Sequence, residues 1–308
     1  MLLSLGIAGL MMLGLTLGTD SPRDDDSEDY LPEDSGQGDT DDGPDSLPLP
    51  PADPASGQPR IILGSDDSEF LDGTHGDDRI DGRGGHDDIR AGSGDDVVRG
   101  GAGDDVLYGD YSVDDFGDDT IDGGEGDDFI AGDGGSDDLS GGLGHDTMQG
   151  GDGDDILRGG HGDDWLSGNA GNDTLIAGHG ADDLSGGEGD DVLIADQNDG
   201  LRDWLHGDDG DDTLTGASDD WLEGGAGRDL FHLPADRIGD AGPTVLGDFN
   251  AAADRIEVSL PESELANAQL TLAHQADGSA VLHVNGAAVA RIMDARGLEL
   301  HHIDLRAS

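Results

Sequence analysis

The chain has no cysteine among its 308 residues, which excludes a disulfide framework, lipidation through sulfur and any cysteine-based zinc site. Positive charge is scarce: 14 Lys and Arg stand against 72 Asp and Glu, for a net charge of −58. Such a chain repels nucleic acid and anionic membrane, so cations are its natural partners. Aromatic residues make up 4% and hydrophobic residues 33%, too little apolar surface to keep so charged a chain folded by burial alone. The familiar catalytic signatures are missing too. There is no H-E-x-x-H, no G-x-S-x-G and no G-x-x-x-x-G-K-[ST], and no enzymatic activity is expected.

Long apolar runs are also absent, with one exception. Residues 1–18 form a hydrophobic N-terminal segment whose run from 2 to 18 has Ser4 and Thr16 as its only polar members. As a helix it spans roughly 25 Å, short of a ~30 Å bilayer core. No Lys or Arg precedes it, and its best cleavage pattern is Thr16-Leu17-Gly18. A cleaved signal, an uncleaved anchor and a hydrophobic tail all remain open readings. Residues 19–60 carry eight of the eleven prolines and runs such as Asp24-Asp25-Asp26. They are expected to form a disordered, acidic, Pro-rich linker, with an acidic binding tail as the lesser alternative.

What the chain has in abundance is glycine, 56 residues of it, and the glycines are positional. From Gly123 to Ser185 a nine-residue phrase repeats seven times without a break, as in GGDGDDILR and GGHGDDWLS. Glycine fills positions 1, 2 and 4, aspartate position 6, and an apolar residue position 8. Eighteen such phrases run from 64 to 232, with five residues inserted before Ile121, three before Leu205 and one removed before Leu222.

From Leu233 the phrase stops. GDFNAAADRIEV (residues 247–258) reads as a loop entering a strand, and TLAHQ, SAVLHV and AAVARIM read as a meander turned at Asp277-Gly278 and Asn285-Gly286. Residues 233–308 are therefore expected to be a small β-rich cap, which a solenoid needs to hide its last apolar rung.

Glycine at positions 1, 2 and 4 permits a tight turn with carbonyls pointing inward. Positions 7 to 9 then form a three-residue strand whose inward side chain is the position-8 aliphatic. Two half-turns close a coil of eighteen residues, and coils stack about 4.8 Å apart. The position-6 carboxylates of phrases n and n+2 come one above the other. At ~5 Å and an effective dielectric of ~20 each such pair repels by about 3 kcal/mol. Over a dozen pairs this exceeds the ~5–15 kcal/mol by which domains are stable, so a cation must sit between the rungs. Oxygen-only ligands in a flexible turn suit calcium better than magnesium, and zinc would want nitrogen or sulfur. Calcium is expected to be integral to folding.

At these residues the chain resembles the RTX, or hemolysin-type, calcium-binding repeat family, over residues 64–232. The resemblance implies an all-β fold, a right-handed parallel β-roll (β-solenoid) of nonapeptide repeats closed by a small C-terminal β cap. It also implies multiple calcium ions held by the position-6 aspartates and turn carbonyls of phrases n and n+2, with export of the unfolded chain by type I secretion machinery. GDFNAAADRIEV is similar to the segment that often follows such arrays. Carried over one residue at a time, the calcium-binding residues are Asp78, Asp87, Asp96, Asp105, Asp119, Asp128, Asp137, Asp146, Asp155, Asp164, Asp173, Asp182, Asp191, Asp212 and Asp229. Three phrases depart from the pattern: Glu69 stands at position 6 of the first, Asp203 follows an insertion, and Asp220 sits in the shortened phrase. The apolar run at 2–18 departs as well, since such exports usually lack one, and it leaves a second export route open.

His75, His161 and His179 fall at position 3, and His86 and His145 at position 5, all turn positions rather than a transition-metal set. Trp165, Trp204 and Trp221 share position 7 and face outward. They are read as lateral contacts, with a carbohydrate-stacking row as the alternative. The expected function is a secreted or surface-exposed calcium-binding protein that folds outside the cell, a structural or adhesive module without a catalytic site. The alternative is a glycan-binding or glycan-modifying accessory module with a cell-surface or polysaccharide ligand. Nucleic acid is not an expected partner, and membrane contact is expected only through residues 2–18 if these stay uncleaved.

Overall fold

Each phrase contributes half a coil, and the strand it builds is longer than the three residues expected. In Thr147–Asp152, Ile156–His161, Trp165–Ala170 and Thr174–His179 the strand takes positions 7, 8 and 9 and continues through positions 1, 2 and 3 of the next phrase. Pairing skips position 1 and resumes at 2 and 3, as in Gln149↔Ser167 followed by Gly151↔Asn169. The turn proper is thus confined to positions 4 to 6.

The computed structural model describes residues 57–110, 116–195, 199–235 and 242–308. The apolar run at 2–18 and the linker up to residue 56 lie outside the described residues. Among those described, no helix is long and apolar enough to cross a membrane, and they all belong to one compact unit. Alternate strands separate into two sheets, one of 12 strands and one of 13. The result is an all-β, parallel β-solenoid of about nine turns, the β-roll that the repeat implies.

Register follows the eighteen-residue coil, with Met148 beside Leu166 in one sheet and Leu157 beside Leu175 in the other. Insertions do not disturb it. Val98 pairs with Ile121, Leu184 with Leu205 and Leu205 with Leu222, so the extra or missing residues are absorbed in turns. The position-8 side chains from Ile80 to Phe231 are at most 1% exposed and form one core between the sheets, a column from each. Leu71, in the first coil, is only partly covered.

The glycines at positions 2 and 4 hold left-handed backbone, with Gly76 and Gly117 at position 4 as exceptions, whereas that at position 1 does not. Gly153, at position 4, has φ +136°, and a Cβ there would meet the carbonyl oxygen of Gly135 at 1.7 Å. Position 2 tolerates exceptions at Arg83, Asp133, Asn169 and Asp208, each with φ between +71° and +75°. Position 1 is mostly glycine because of close approach rather than conformation. A Cβ on Gly150 would lie 2.2 Å from Asp155 Oδ2 and 2.9 Å from the carbonyl oxygen of Gly168 in the next coil.

The solenoid outlasts the repeat at both ends. Ile61–Leu63 pairs in parallel with Arg79–Gly84 before the first phrase begins. After the last phrase, Arg255–Leu260 and Ile303–Ala307 extend the 12-stranded sheet in parallel. Thr244–Leu246 and Ala287–Ile292 extend the other. The expected meander is present as the antiparallel strands Leu270–His274, Ala280–Val284 and Ala287–Ile292. Asn285 and Gly286 both have positive φ at its tight turn. The C-terminal residues are therefore built onto the roll, not set beside it. His301 and His302 lie at the short helical turn Leu300–His302 with ring centroids 3.8 Å apart.

Shortening one member of the central core tests this packing. Leu157→Ala should lower the unfolding free energy of the calcium-loaded chain by about 2–5 kcal/mol. Val192→Ala, at a half-exposed outward position, should change it by under ~0.5 kcal/mol. Calorimetric or denaturant unfolding distinguishes the two.

Candidate metal centre

The position-6 side chains come from the turn that precedes each strand, and the turn folds them inward beneath the coil. All fifteen aspartates expected from the sequence are at most 3% exposed. They fall into two ladders, one along each edge of the roll. In the first, the backbone N–H of Asp78 donates to Oδ1 of Asp96, Asp96 to Asp119, and so on through Asp137, Asp155, Asp173, Asp191, Asp212 and Asp229. In the second, the N–H of Glu69 donates to Asp87, and the chain continues through Asp105, Asp128, Asp146, Asp164 and Asp182. Every rung measures 2.6–3.2 Å.

Residues outside the expected set also take rungs. Asp203 accepts from the N–H of Asp182 and Asp220 from that of Asp203, so the insertion and the deletion leave the second ladder unbroken. Asp254, in the segment after the array, accepts from the N–H of Asp229. Its sequence signal was GDFNAAAD, whose final aspartate stands where a further position 6 would fall. Position 5 forms ladders of its own with reversed polarity. The N–H of Asp118 donates to Asp95 Oδ1, that of Ser136 to Asp118, and that of His145 to Asp127. The recurring Asp, Asn, Ser and His at position 5, all acceptors, were the available clue. His86 and His145 take part through Nδ1, which accepts from the N–H groups of Asp104 and Asp163 at 2.9 and 2.8 Å.

Each position-6 carboxylate thus uses one oxygen inside the protein. In Asp87, Asp96, Asp105, Asp119, Asp128, Asp137, Asp146, Asp155, Asp164, Asp173, Asp182, Asp191 and Asp212 the second oxygen, Oδ2, is buried and meets no hydrogen-bond donor. A buried carboxylate oxygen left in that state costs at least ~1–3 kcal/mol. The place it points to is the cradle above the position-1 glycine, which it shares with a carbonyl oxygen of the neighbouring coil. Among the described residues no three carboxylate or imidazole side chains converge on one point. A cation here would need further ligands, which the turn carbonyls could supply, the hard-oxygen set that fits calcium.

Burial, more than mutual repulsion, is what makes these groups costly to ionise. It pushes the carboxyls of Asp96 and Asp203 up to about 8. Those of Asp119, Asp128, Asp137, Asp155, Asp164 and Asp191 rise to about 7. Those of Asp146, Asp173, Asp182, Asp212, Asp220 and Asp229 rise to about 6. Desolvation is the largest cause throughout. Neighbouring aspartate charges add a smaller push, and the ladder hydrogen bonds oppose it. The repulsion between stacked carboxylates that the sequence suggests is real but secondary.

A family model described as the RTX calcium-binding nonapeptide repeat (4 copies) matches residues 63–98, 83–110, 90–116, 113–148, 132–165, 140–175, 159–193 and 198–231. No curated relative matches the chain. Among solved structures it is similar to a hyperactive, Ca2+-dependent, β-helical antifreeze protein from an Antarctic bacterium, at 19% identity over 66% of this chain and 71% of that one, with a TM-score of 0.31. It is similar also to the AlgE6R3 subunit from the Azotobacter vinelandii mannuronan C5-epimerase, at 25% identity over 50% and 79%, with a TM-score of 0.20. The extracellular lipase LipA from Serratia marcescens matches at 20% identity over 82% and 40%, with a TM-score of 0.20.

The raised carboxyls fix a pH dependence for the metal-free chain. Unfolded carboxyls titrate near 3.8 and the fourteen just named near 6 to 8 in the folded chain, so between those values the folded state binds more protons. Its stability is then greatest at acid pH and falls as pH rises through 6 to 8. In chelator, β-structure by circular dichroism should persist at pH 5 and be lost by pH 8, and calcium should restore it at pH 8. A metal-free β signal that grows with pH would contradict this. Asp155→Asn keeps the ladder acceptor and removes the charge. It should lower the number of calcium ions retained in equilibrium dialysis while leaving the acid, metal-free state intact.

Proposed function

The chain belongs to the RTX calcium-binding nonapeptide repeat family, and from that premise we propose that it is a secreted or surface-exposed module that folds when it meets calcium outside the cell. It is a calcium-binding structural repeat protein with multiple calcium ions. The observation that carries the folding reading is the set of thirteen buried, unpartnered Oδ2 atoms. Without a cation, ionised ladders oppose the fold; with one, the same oxygens become ligands.

In this reading calcium is held by the fifteen aspartates from Asp78 to Asp229 that the repeat marks, with Asp203 added because it occupies an unbroken rung. Residues 64–232 form the calcium-binding roll, residues 233–308 close it, and residues 19–60 are a spacer that holds it away from a surface. The acidic, proline-rich composition of that spacer supports a structural or adhesive role. Export proceeds through type I secretion machinery, or residues 2–18 direct it or anchor the chain at the surface. No catalytic role is proposed, because the abundant carboxylates of the array are committed to the ladders.

A calcium titration followed by far-ultraviolet circular dichroism at pH 8, with magnesium as the control, tests the reading. A cooperative gain of β-structure near ~0.1–1 mM calcium, the range of extracellular modules, is the expected outcome. A chain already folded in chelator at that pH, or folded equally well by magnesium, would overturn it.

A further inference from the structure

We propose that the outer face of the 13-stranded sheet binds a neutral glycan chain laid along the solenoid axis. The inference deepens the adhesive reading above and rests on it for a folded, calcium-loaded roll.

All three tryptophans of the chain fall in one column of this sheet. Trp165, Asp183, Trp204 and Trp221 are register neighbours on four successive strands. The nine-residue period conceals this, since successive phrases alternate between sheets. Trp165 and Trp204 are 39% and 41% exposed and stand two strands apart, roughly 10 Å. Two of the rings are held in place. Trp221 donates its Nε1–H to Glu223 at 2.8 Å, the Trp204 and Trp221 ring centroids are 5.8 Å apart, and the Arg202 guanidinium lies 5.8 Å from the Trp204 ring. A platform ordered before its ligand arrives loses less entropy on binding.

Beside this column, on the same strands, runs an open groove of about 850 Å³ whose polar walls include Ser167, Asn169, Ser185, Glu188, Asp208 and Asp209. Gly187 and Gly225 leave its floor without side chains. Flat aromatic faces along an axis suit the apolar faces of successive sugar rings. The adjoining mixture of hydroxyl, amide and carboxylate groups can both donate to and accept from sugar hydroxyls. The sign of the charge narrows the choice. Glu188, Asp208 and Asp209, on a chain of net charge −58, reject uronates, sulfates and phosphates. A polycation would need acceptors alone, whereas the groove also offers the hydroxyl and amide donors of Ser167, Ser185 and Asn169.

The test is affinity electrophoresis and calorimetry of the calcium-loaded full chain with galactomannan, hydroxyethyl cellulose and dextran, with alginate and polylysine as charged controls. Tryptophan fluorescence reports this column alone, because no tryptophan lies elsewhere. At least one neutral polymer should bind, shield the rings from acrylamide quenching and alter their emission. Trp165→Ala should weaken that binding by about tenfold with its calcium-induced circular dichroism unchanged. Should that variant fail to fold, the quenching result on the unsubstituted chain stands as the deciding measurement. Silence across the neutral polymers, preference for alginate or polylysine, or full binding by a folded Trp165→Ala would overturn the proposal. A normal calcium titration beside any of those results would leave the folding reading standing.

Discussion

Each full coil buries two carboxylates, and each carboxylate spends one oxygen holding the backbone of its neighbour. The other oxygen is left in a cradle with room beside it for glycine or a single methyl, and too dry for an ionised group. This geometry explains residues that otherwise look unrelated. Position 1 is mostly glycine because Oδ2 and a carbonyl oxygen from the next coil crowd its Cα, as at Gly150, and the only side chain it takes in the array is the methyl of Ala91, Ala177 and Ala195. Position 4 is glycine because its Cβ would strike the coil below, as at Gly153. In the function proposed, a cation between coils would turn the cost of burying charge into the bond that joins them.

The ladders end where the protein supplies its own donors. At the N-terminal end the second oxygen of Asp78 accepts from the N–H and hydroxyl of Thr74. At the C-terminal end Asp220 accepts from the N–H of Ala217, and Asp254 from that of Asn250. The unsatisfied oxygens are thus confined to the interior of the roll, from Asp87 to Asp212. Each rung also ties one coil to the next, so in the function proposed binding at one level would favour the next, as in other quasi-one-dimensional folds.

The outer faces carry what the ladders do not need. Because positions 7 and 9 point outward and alternate phrases go to opposite sheets, each sheet has its own columns. One received every tryptophan, arranged beside a groove of hydroxyl and carboxylate groups. The inward core is nearly uniform aliphatic and repeats with every phrase, whereas the outward columns differ from sheet to sheet.

A strict nine-residue period was enough to set the coil length, the inward side chains from Ile80 to Phe231 and the identity of the buried aspartates. Local sterics of glycine and the two-residue alternation of a strand leave few other ways to fold such a phrase. The sequence also marked the chemistry, since oxygen ligands without cysteine admit few metals. It could not show that Asp203, Asp220 and Asp254 complete the ladders, because an insertion, a deletion and a new motif obscure the count while the hydrogen bonds bridge them. Nor could it show that strands run on into positions 1 to 3, or that residues after 233 continue both sheets, because those pairings join segments eighteen or more residues apart. The relative weight of burial and repulsion, and the gathering of Trp165, Trp204 and Trp221 on one face, belong to the same class. They depend on which surfaces meet after coiling, and only the tertiary structure decides that.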